Sequence, residues 1–228
     1  MTPYYFDIET ASHPDASRWI EPFVPDVEPN RSIKDEAKQA AWMADKLAAQ
    51  RAEYDKKYSK LALDPWVGRI VALTTAGEMG PAWPTLIHNE HEERDAIAGF
   101  YFNLVSDPDL TPIGWNSRAF DHRFINVRAR LLGLKVPEFL DHLRYNKRLI
   151  DLYEVATDGE NAGHYPAEKM MGRGMVSVAS RFGIDLPEDD IKGADIALAV
   201  AEGRWDDIAR HNVLDVLRTR ELAKRLGV

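Results

Sequence analysis

Two acidic residues near the N-terminus, Asp7 and Glu9, lie one residue apart within the otherwise aromatic and apolar segment 4–10. The pattern predicts a buried β-strand, in which residues two apart point to the same face. Two carboxylates on one face of a buried strand are costly unless a positive charge lies between them, and a divalent metal ion is the natural candidate. The alternative is an ordinary strand end with exposed acids. Because Asp-x-Glu is common by chance, the spacing alone leaves both interpretations open.

A third acid, Asp121, ends the loop 114–121 and stands at the start of a predicted helix. Ligands of open α/β sheets gather at strand ends, so this is a candidate position for a functional acid. An acid in the first turn of a helix also stabilises the helix dipole without any further role. Taken by itself, Asp121 is better explained as a helix-start residue.

The last predicted helix contains His211 and Asp215, which are four residues apart and therefore share one helical face. Val213, Val216 and Leu217 supply apolar packing around them. An isolated His/Asp pair on a helix is usually solvated, so this pair alone does not define a site.

Together, the three segments resemble the DEDD superfamily of 3′–5′ exonucleases, which have the ribonuclease H-like fold. The matching segments, in chain order, are 6–10, Asn116-x3-Phe120-Asp121 and His211-x3-Asp215. Three separated motifs in the same order are much more specific than any one of them. Segment 62–71 and the long helix before it resemble stand-alone, often phage-encoded exonucleases related to the proofreading domain of family B polymerases. The resemblance covers nearly the whole chain.

This resemblance implies a metal-dependent enzyme that removes nucleotides from the 3′ end of single-stranded DNA by two-metal-ion phosphodiester hydrolysis. The ions would be Mg²⁺ or Mn²⁺, which prefer oxygen ligands. Asp7, Glu9 and Asp215 would hold one ion, Asp7 would bridge to the second, and Asp121 would act there largely through waters. The resemblance assigns the remaining site residues as a base, His211, and three substrate-binding residues, Asn116, Phe120 and Arg118.

The histidine departs from both branches of the superfamily. One branch has tyrosine four residues before the last aspartate, and the other has histidine five residues before it. In this chain His211 is four before Asp215, and Arg210 is five before it. An imidazole, with a model-compound pKa of about 6.5, is suited to take a proton near neutral pH. His164 and Tyr165 are the alternative bases if His211 does not serve.

Two other functions are compatible with the same motifs. A 3′–5′ exoribonuclease would have the same fold and metals and would differ in its contacts to the 2′-hydroxyl. A catalytically silent nucleic-acid-binding module would be favoured by the loss of an acid, but all four acids are present. A polymerase or replication partner is a further possibility, for which the sequence contains no identifiable docking motif.

The elements that must position these residues are predicted to form an α/β fold. We expect a ribonuclease H-like mixed five-stranded sheet flanked by helices on both faces. We expect residues 1–228 to form a single exonuclease domain, with residues 11–62 as an insertion of loop and long helix. An alanine-rich stripe predicts that this helix lies on its own domain. The predicted strands are 3–9, 69–75, 84–88, 111–115 and 148–155, and the predicted helices are 33–60, 90–105, 120–132, 175–182, 192–201 and 204–226.

Composition further limits the kinds of site and of binding surface that the chain can form. The chain has 228 residues and no cysteine, which excludes disulfides, thiolate metal sites and a cysteine nucleophile. Its net charge of −8 argues against a broad, non-specific duplex-binding surface, although metal ions would reverse the local sign at a site rich in acids. No apolar run reaches the roughly 18–20 residues of a membrane span and no signal peptide is visible, so we expect a cytoplasmic protein. Four tryptophans are expected to pack rather than stack on bases: Trp42, Trp66, Trp83 and Trp205.

Overall fold

A computed structural model describes residues 1–58, 60–141, 148–158, 174–184, 187 and 191–228. The strands are β1 (Thr2–Ser12), β2 (Gly68–Gly77), β3 (Trp83–Leu86), β4 (Leu110–Gly114) and β5 (Ile150–Asp151). They form one sheet in the order β3-β2-β1-β4-β5. β2 is antiparallel to β1 and β3, whereas β4 is parallel to β1 and β5. This order confirms the predicted mixed five-stranded sheet.

Helices cover both faces of the sheet, as expected. In the described residues they are α1 (Glu36–Tyr58), α2 (Glu90–Ser106), α3 (Asp121–Leu131), α4 (Glu138–Asp141), α5 (Leu152–Ala156), α6 (Met175–Arg181), α7 (Ile196–Ala201) and α8 (Trp205–Leu226).

The side chains of β1 alternate between two apolar layers. Tyr4, Phe6 and Ile8 pack on one face against α2 and α3, where the rings of Phe6 and Phe100 lie 5.1 Å apart. On the other face, Tyr5 packs with residues of α6 and α8. The two-residue period of the strand therefore produces a core on each side of the sheet.

The α8 face carries two separate apolar clusters rather than one. Tyr5 belongs to a cluster with Val216, near the start of β1. Ala11 belongs to a second cluster with Ile208 and residues of α7, near the end of β1. The stretch of β1 between these clusters contains the two acids of the first motif.

A buried ion pair joins α2, α3 and β2 on the opposite face. Arg128 donates from Nε and Nη2 to the two carboxylate oxygens of Glu93, both at 2.8 Å. Glu93 also accepts from the backbone nitrogen of Ile70 at 2.9 Å. Both side chains are buried, so each is the main compensation for the other's charge, and Glu90 Oε1 also lies 3.8 Å from Arg128 Nη2.

The insertion helix α1 forms where it was predicted, but the expected packing is wrong. It lies against the preceding loop of the insertion: the Tyr54 hydroxyl donates to the Glu21 carbonyl oxygen at 2.8 Å, and the Tyr54 ring meets Phe23 at 5.3 Å. Small alanine side chains offer little area to bury, so the aromatic side chains decide how the helix packs. The members of the predicted stripe that are exposed are Ala37, Ala40, Ala44, Leu47 and Arg51.

The fifth strand is much shorter than predicted. Only Ile150 and Asp151 pair with β4, and the chain then turns into α5. The Asp151 carboxylate accepts from the backbone nitrogen of Tyr153 at 3.0 Å, which caps the helix. The cap ends β5 at Asp151, so residues 152–155, which were predicted to continue the strand, lie in α5.

Candidate active site

The candidate site lies where β1 extends past the end of β4. The last β1–β4 pair is Tyr5 with Ile113, whereas β1 stays paired with β2 as far as Ser12 and Gly68. Asp7 and Glu9 therefore lie beyond the end of β4, and the β1–β2 register shifts just after Glu9. The early end of β4 leaves space beside the acids for side chains from other elements.

Helix α8 lies over the two acids and fills the space between the two apolar clusters. The Asn212 side-chain nitrogen donates to Asp7 Oδ2 at 2.6 Å. His211 Nε2 lies 3.4 Å from Glu9 Oε1 and 3.9 Å from Asp215 Oδ2. The side-chain donor atoms of Glu9, His211 and Asp215 all lie within 4.8 Å of one another, a spacing that can hold a metal ion.

Asp121 reaches the site from the first turn of α3. Its Oδ1 accepts a hydrogen bond of 3.2 Å from the backbone nitrogen of Ile8. That nitrogen lies beyond the part of β1 that pairs with β4, so a carboxylate takes the place of a strand partner. Burial raises the pKa of Asp121 to about 7, and the charges of Asp151 and Asp215 act in the same direction, against the hydrogen bond from Ile8.

The four acids are close enough to oppose one another's ionisation. Desolvation raises the pKa of Asp7 well above its ordinary value, and the charges of Asp121, Glu9 and Asp215 raise it further. The hydrogen bond from Asn212 acts in the opposite direction. A group of carboxylates with this mutual repulsion is relieved by a cation, and an oxygen-rich donor set fits a hard divalent ion. The residues present therefore fit a divalent metal.

Two polar contacts of the site were not expected from the sequence. Asn212 orients Asp7, and the Arg218 guanidinium donates to Asp215 Oδ1 at 2.5 Å. Arg218 could have been found from its spacing, because residues three apart meet on a helix. Asn212 could not have been found in this way, because its partner Asp7 lies on β1 and the contact depends on how α8 packs on that strand.

The three substrate-binding candidates are close in sequence but differ in environment. Asn116 has a left-handed backbone conformation with φ of 54°, and its buried Oδ1 has no hydrogen-bond partner. Phe120 packs partly against the core, with its ring 5.6 Å from that of Phe124. The Arg118 guanidinium pairs with Glu154 at 3.0 Å. Of these, Asn116 has an unused hydrogen-bonding atom.

The remaining candidates divide between structural roles and undescribed positions. The Asp151 carboxylate accepts from the backbone nitrogen of Arg118 at 2.9 Å as well as capping α5, so this acid has a structural hydrogen-bonding role. The alternative bases His164 and Tyr165 lie outside the described residues.

A family model of the RNase_H superfamily matches residues 71–227. The chain belongs to the RNase_H superfamily. The match begins within β2, so the strand that carries Asp7 and Glu9 and the whole insertion precede it. Membership of the superfamily identifies a ribonuclease H-like fold.

Among solved structures, the chain is similar to that of the family B DNA polymerase from the hyperthermophilic archaeon Pyrobaculum calidifontis, with a TM-score of 0.61 and 18% sequence identity. The match covers 100% of this chain and 24% of the polymerase chain. At this identity the similarity concerns the fold, and it agrees with the resemblance found in the sequence. No curated protein matches the chain. None of the helices in the described residues is sufficiently long and apolar to cross a membrane.

Proposed function

We propose that this protein is a metal-dependent 3′–5′ exonuclease that removes nucleotides from the 3′ end of single-stranded DNA, with residues 1–228 as its exonuclease domain. The observation that carries the proposal is the convergence of Asp7, Glu9, Asp121 and Asp215 at the end of β4, where burial and then the charges of the other acids raise the pKa of Asp7. Four carboxylates in one place are unstable without cations, and this arrangement suits two divalent ions. The ions would be Mg²⁺ or Mn²⁺.

Each acid has a defined part in this proposal. Asp7, Glu9 and Asp215 would hold one ion, and Asp7 and Asp121 would hold the second. Bound divalent ions would activate a water nucleophile and offset charge on the phosphate and the leaving oxygen. The hydrogen bond from Asn212 to Asp7 Oδ2 leaves the other oxygen of Asp7 available to the ions.

His211 is the proposed general base. Its Nε2 faces Glu9 and Asp215, so it lies beside the carboxylates that would hold the attacking water. From this position the imidazole orients the water and accepts its proton. The two carboxylates stabilise the imidazolium that results.

Asn116, Phe120 and Arg118 are proposed to bind the terminal nucleotide. The loop that carries them leaves β4 beside the acids, as ligand-binding loops of α/β sheets do. The unpartnered Oδ1 of Asn116 is an acceptor for a sugar hydroxyl or a base amine. Arg118 would exchange its contact with Glu154 for a phosphate.

Support for DNA and for the 3′ end comes from the DEDD resemblance and from the similarity to a family B DNA polymerase. The choice of DNA over RNA is testable, because the two differ at the 2′-hydroxyl. Matched DNA and RNA oligonucleotides of one sequence separate an exodeoxyribonuclease from an exoribonuclease.

The decisive experiment is a time course with Mn²⁺ on a single strand labelled at the 3′ end and, separately, at the 5′ end. We expect immediate release of the 3′ label as a mononucleotide and a descending ladder from the 5′-labelled strand. Asp7→Ala should abolish both signals. Products from internal cleavage, or release of the 5′ label first, would overturn the proposal. The absence of both Mn²⁺ binding and cleavage would instead favour the silent module.

A further inference from the structure

Two large aromatic side chains are exposed at the end of β1 and β2 nearest the candidate site. Trp66 is 62% exposed and Trp19 is 55% exposed. The expectation that Trp66 packs is therefore wrong, and the same holds for Trp83, which is 69% exposed on β3. Trp205 does pack, against an apolar cluster of α7 and α8. Two exposed tryptophans near one end of the sheet are not explained by packing in the core.

The turn that carries Trp66 is tightly built. The backbone nitrogen of Trp66 donates to Asp64 Oδ1 at 3.0 Å, and that of Gly68 donates to the Asp64 carbonyl oxygen at 2.7 Å. A Cβ atom at Gly68 would lie 2.9 Å from the Asp64 carbonyl oxygen, so only glycine fits the close approach. Trp66 is thus presented on an ordered backbone while its side chain faces solvent.

The Trp19 ring packs against the ring of His13. The two rings lie 5.2 Å apart, and the His13 ring is fixed by the backbone nitrogen of Asp15 at 3.0 Å and by Glu90 at 3.1 Å. The backbone nitrogen of Trp19 donates to the Ala16 carbonyl oxygen at 3.0 Å, which closes a short turn. Trp19 is therefore also an exposed ring on an ordered support.

The segments that carry the two tryptophans are joined by a backbone hydrogen bond at the end of β1 and β2. His13, which contacts Trp19, donates from its backbone nitrogen to the carbonyl oxygen of Val67, the residue after Trp66. Ser12, just before His13, pairs with Gly68 and lies three residues beyond Glu9. At about 3.3 Å per residue the strand spans about 10 Å between Glu9 and Ser12. Both tryptophans are thus attached to the end of β1 and β2 that follows the acids.

We propose that Trp19 and Trp66 form a stacking platform for unpaired nucleotides of the substrate, next to the terminal nucleotide in the site. This inference rests on the proposed exonuclease function. With a net charge of −8 the protein gains little from general attraction to phosphates, so affinity for the strand must come largely from stacking and apolar contact. Stacking accepts any base, which suits an enzyme that moves along a strand. Both residues precede residues 71–227, so the platform is a feature of this chain outside the segment that matches the family.

Binding is measured by fluorescence anisotropy of a labelled long oligothymidylate, in an Asp7→Ala background that leaves the strand intact. Trp19→Ala and Trp66→Ala should each weaken binding about 5- to 150-fold, which corresponds to the usual stacking energy of one base. Trp83→Ala is the matched control, because it removes an equally exposed tryptophan from a strand position paired with Thr75 near the other end of β2. It should bind like its parent.

In the active protein, the two variants should raise KM on the long strand with little change in kcat, and should leave turnover of a dinucleotide unaltered. Unchanged binding by both variants, or equal weakening by Trp83→Ala, would overturn the platform. A shift from dimer to monomer on gel filtration without a change in DNA affinity would assign the surface to a second copy of the chain instead.

Different results would reject the stacking platform and the exonuclease proposal. Tryptophan-dependent binding by a protein that cleaves no 3′ end would keep the platform and reject the exonuclease. Cleavage by a protein whose tryptophan variants bind normally would do the reverse.

Discussion

The side-chain nitrogen of Asn212 donates a hydrogen bond of 2.6 Å to Asp7 Oδ2, which joins the last helix to the first strand across 205 positions of sequence. Asn212 is fully buried, and its Oδ1 has no hydrogen-bond partner. The contact fixes one oxygen of Asp7 and thereby the direction of the other. Asn212, next to the proposed base His211, is thus a positioning residue for the proposed metal site.

Replacement of Asn212 by alanine should weaken metal binding. Loss of a residue that orients a metal ligand usually costs about 10- to 100-fold in affinity or activity. We expect a change of that size in the Mn²⁺ dissociation constant of Asn212→Ala, measured by isothermal titration calorimetry. Asn126→Ala is the control, because Asn126 is also buried and hydrogen-bonded, to Tyr101 and the Leu140 carbonyl oxygen. A similar loss of Mn²⁺ affinity in both variants would show a general effect of instability.

Removal of the proposed base should slow cleavage without loss of the metal. His211→Ala is expected to lower kcat about 10²- to 10⁴-fold at saturating Mn²⁺, as loss of a general base does. His91→Ala is the control, since its side chain is 82% exposed on α2. Wild-type rates across the pH range in His211→Ala would reject the assignment and direct attention to His164 and Tyr165.

The stability of the metal-free protein should depend on the charge of Asp121. Its folded-state pKa of about 7 lies above the ordinary value of 3.8, so the folded protein holds this proton more tightly than the unfolded chain. The contribution of this proton to the free energy of unfolding is therefore fully present below pH 3.8 and is lost as the pH rises through about 7. In EDTA, Asp121→Asn should melt at a higher temperature than the wild type above pH 7, by roughly 2–4 °C for each kcal/mol regained.

The difference in melting temperature should shrink as the pH falls toward 4, where both side chains are neutral. Asparagine keeps an acceptor for the backbone nitrogen of Ile8, so the comparison isolates the charge. Mn²⁺ should stabilise the wild type more at high pH than at low pH, because ionised carboxylates bind it. A melting-temperature difference that stays constant between pH 4 and 8 would contradict the account.

The buried pair between Glu93 and Arg128 should dominate the stability of the α2–α3 side. Glu93→Ala leaves Arg128 buried without its partner, and removal of one member of such a pair costs about 3–5 kcal/mol. Urea unfolding at constant m-value should reveal this loss. Glu221→Ala, which breaks the exposed pair with Lys224, should change the free energy of unfolding by only about 0–1 kcal/mol. Comparable losses in the two variants would contradict the argument from burial.

Sequence patterns were sufficient for elements with a clear period. The alternation in segment 4–10 predicted β1, and the apolar spacing of Ile97, Phe100, Tyr101 and Leu104 predicted the buried face of α2. Patterns were insufficient where side-chain size or capping decides. The alanine stripe of α1 was expected to be buried and is exposed, and Asp151 ends β5 by capping α5.

The sequence by itself determined the types of residue and their order: acids in a first strand, an acid at a helix start, and a histidine and an acid on a last helix. This is possible because strand and helix periods are local properties of the chain. Only the tertiary structure decided that β4 ends early enough for Asp121 to reach β1, and that Asn212 donates to Asp7. Those contacts depend on the register of the strands and the packing of α8 across the sheet, and both are set by the burial of residues far apart in the chain.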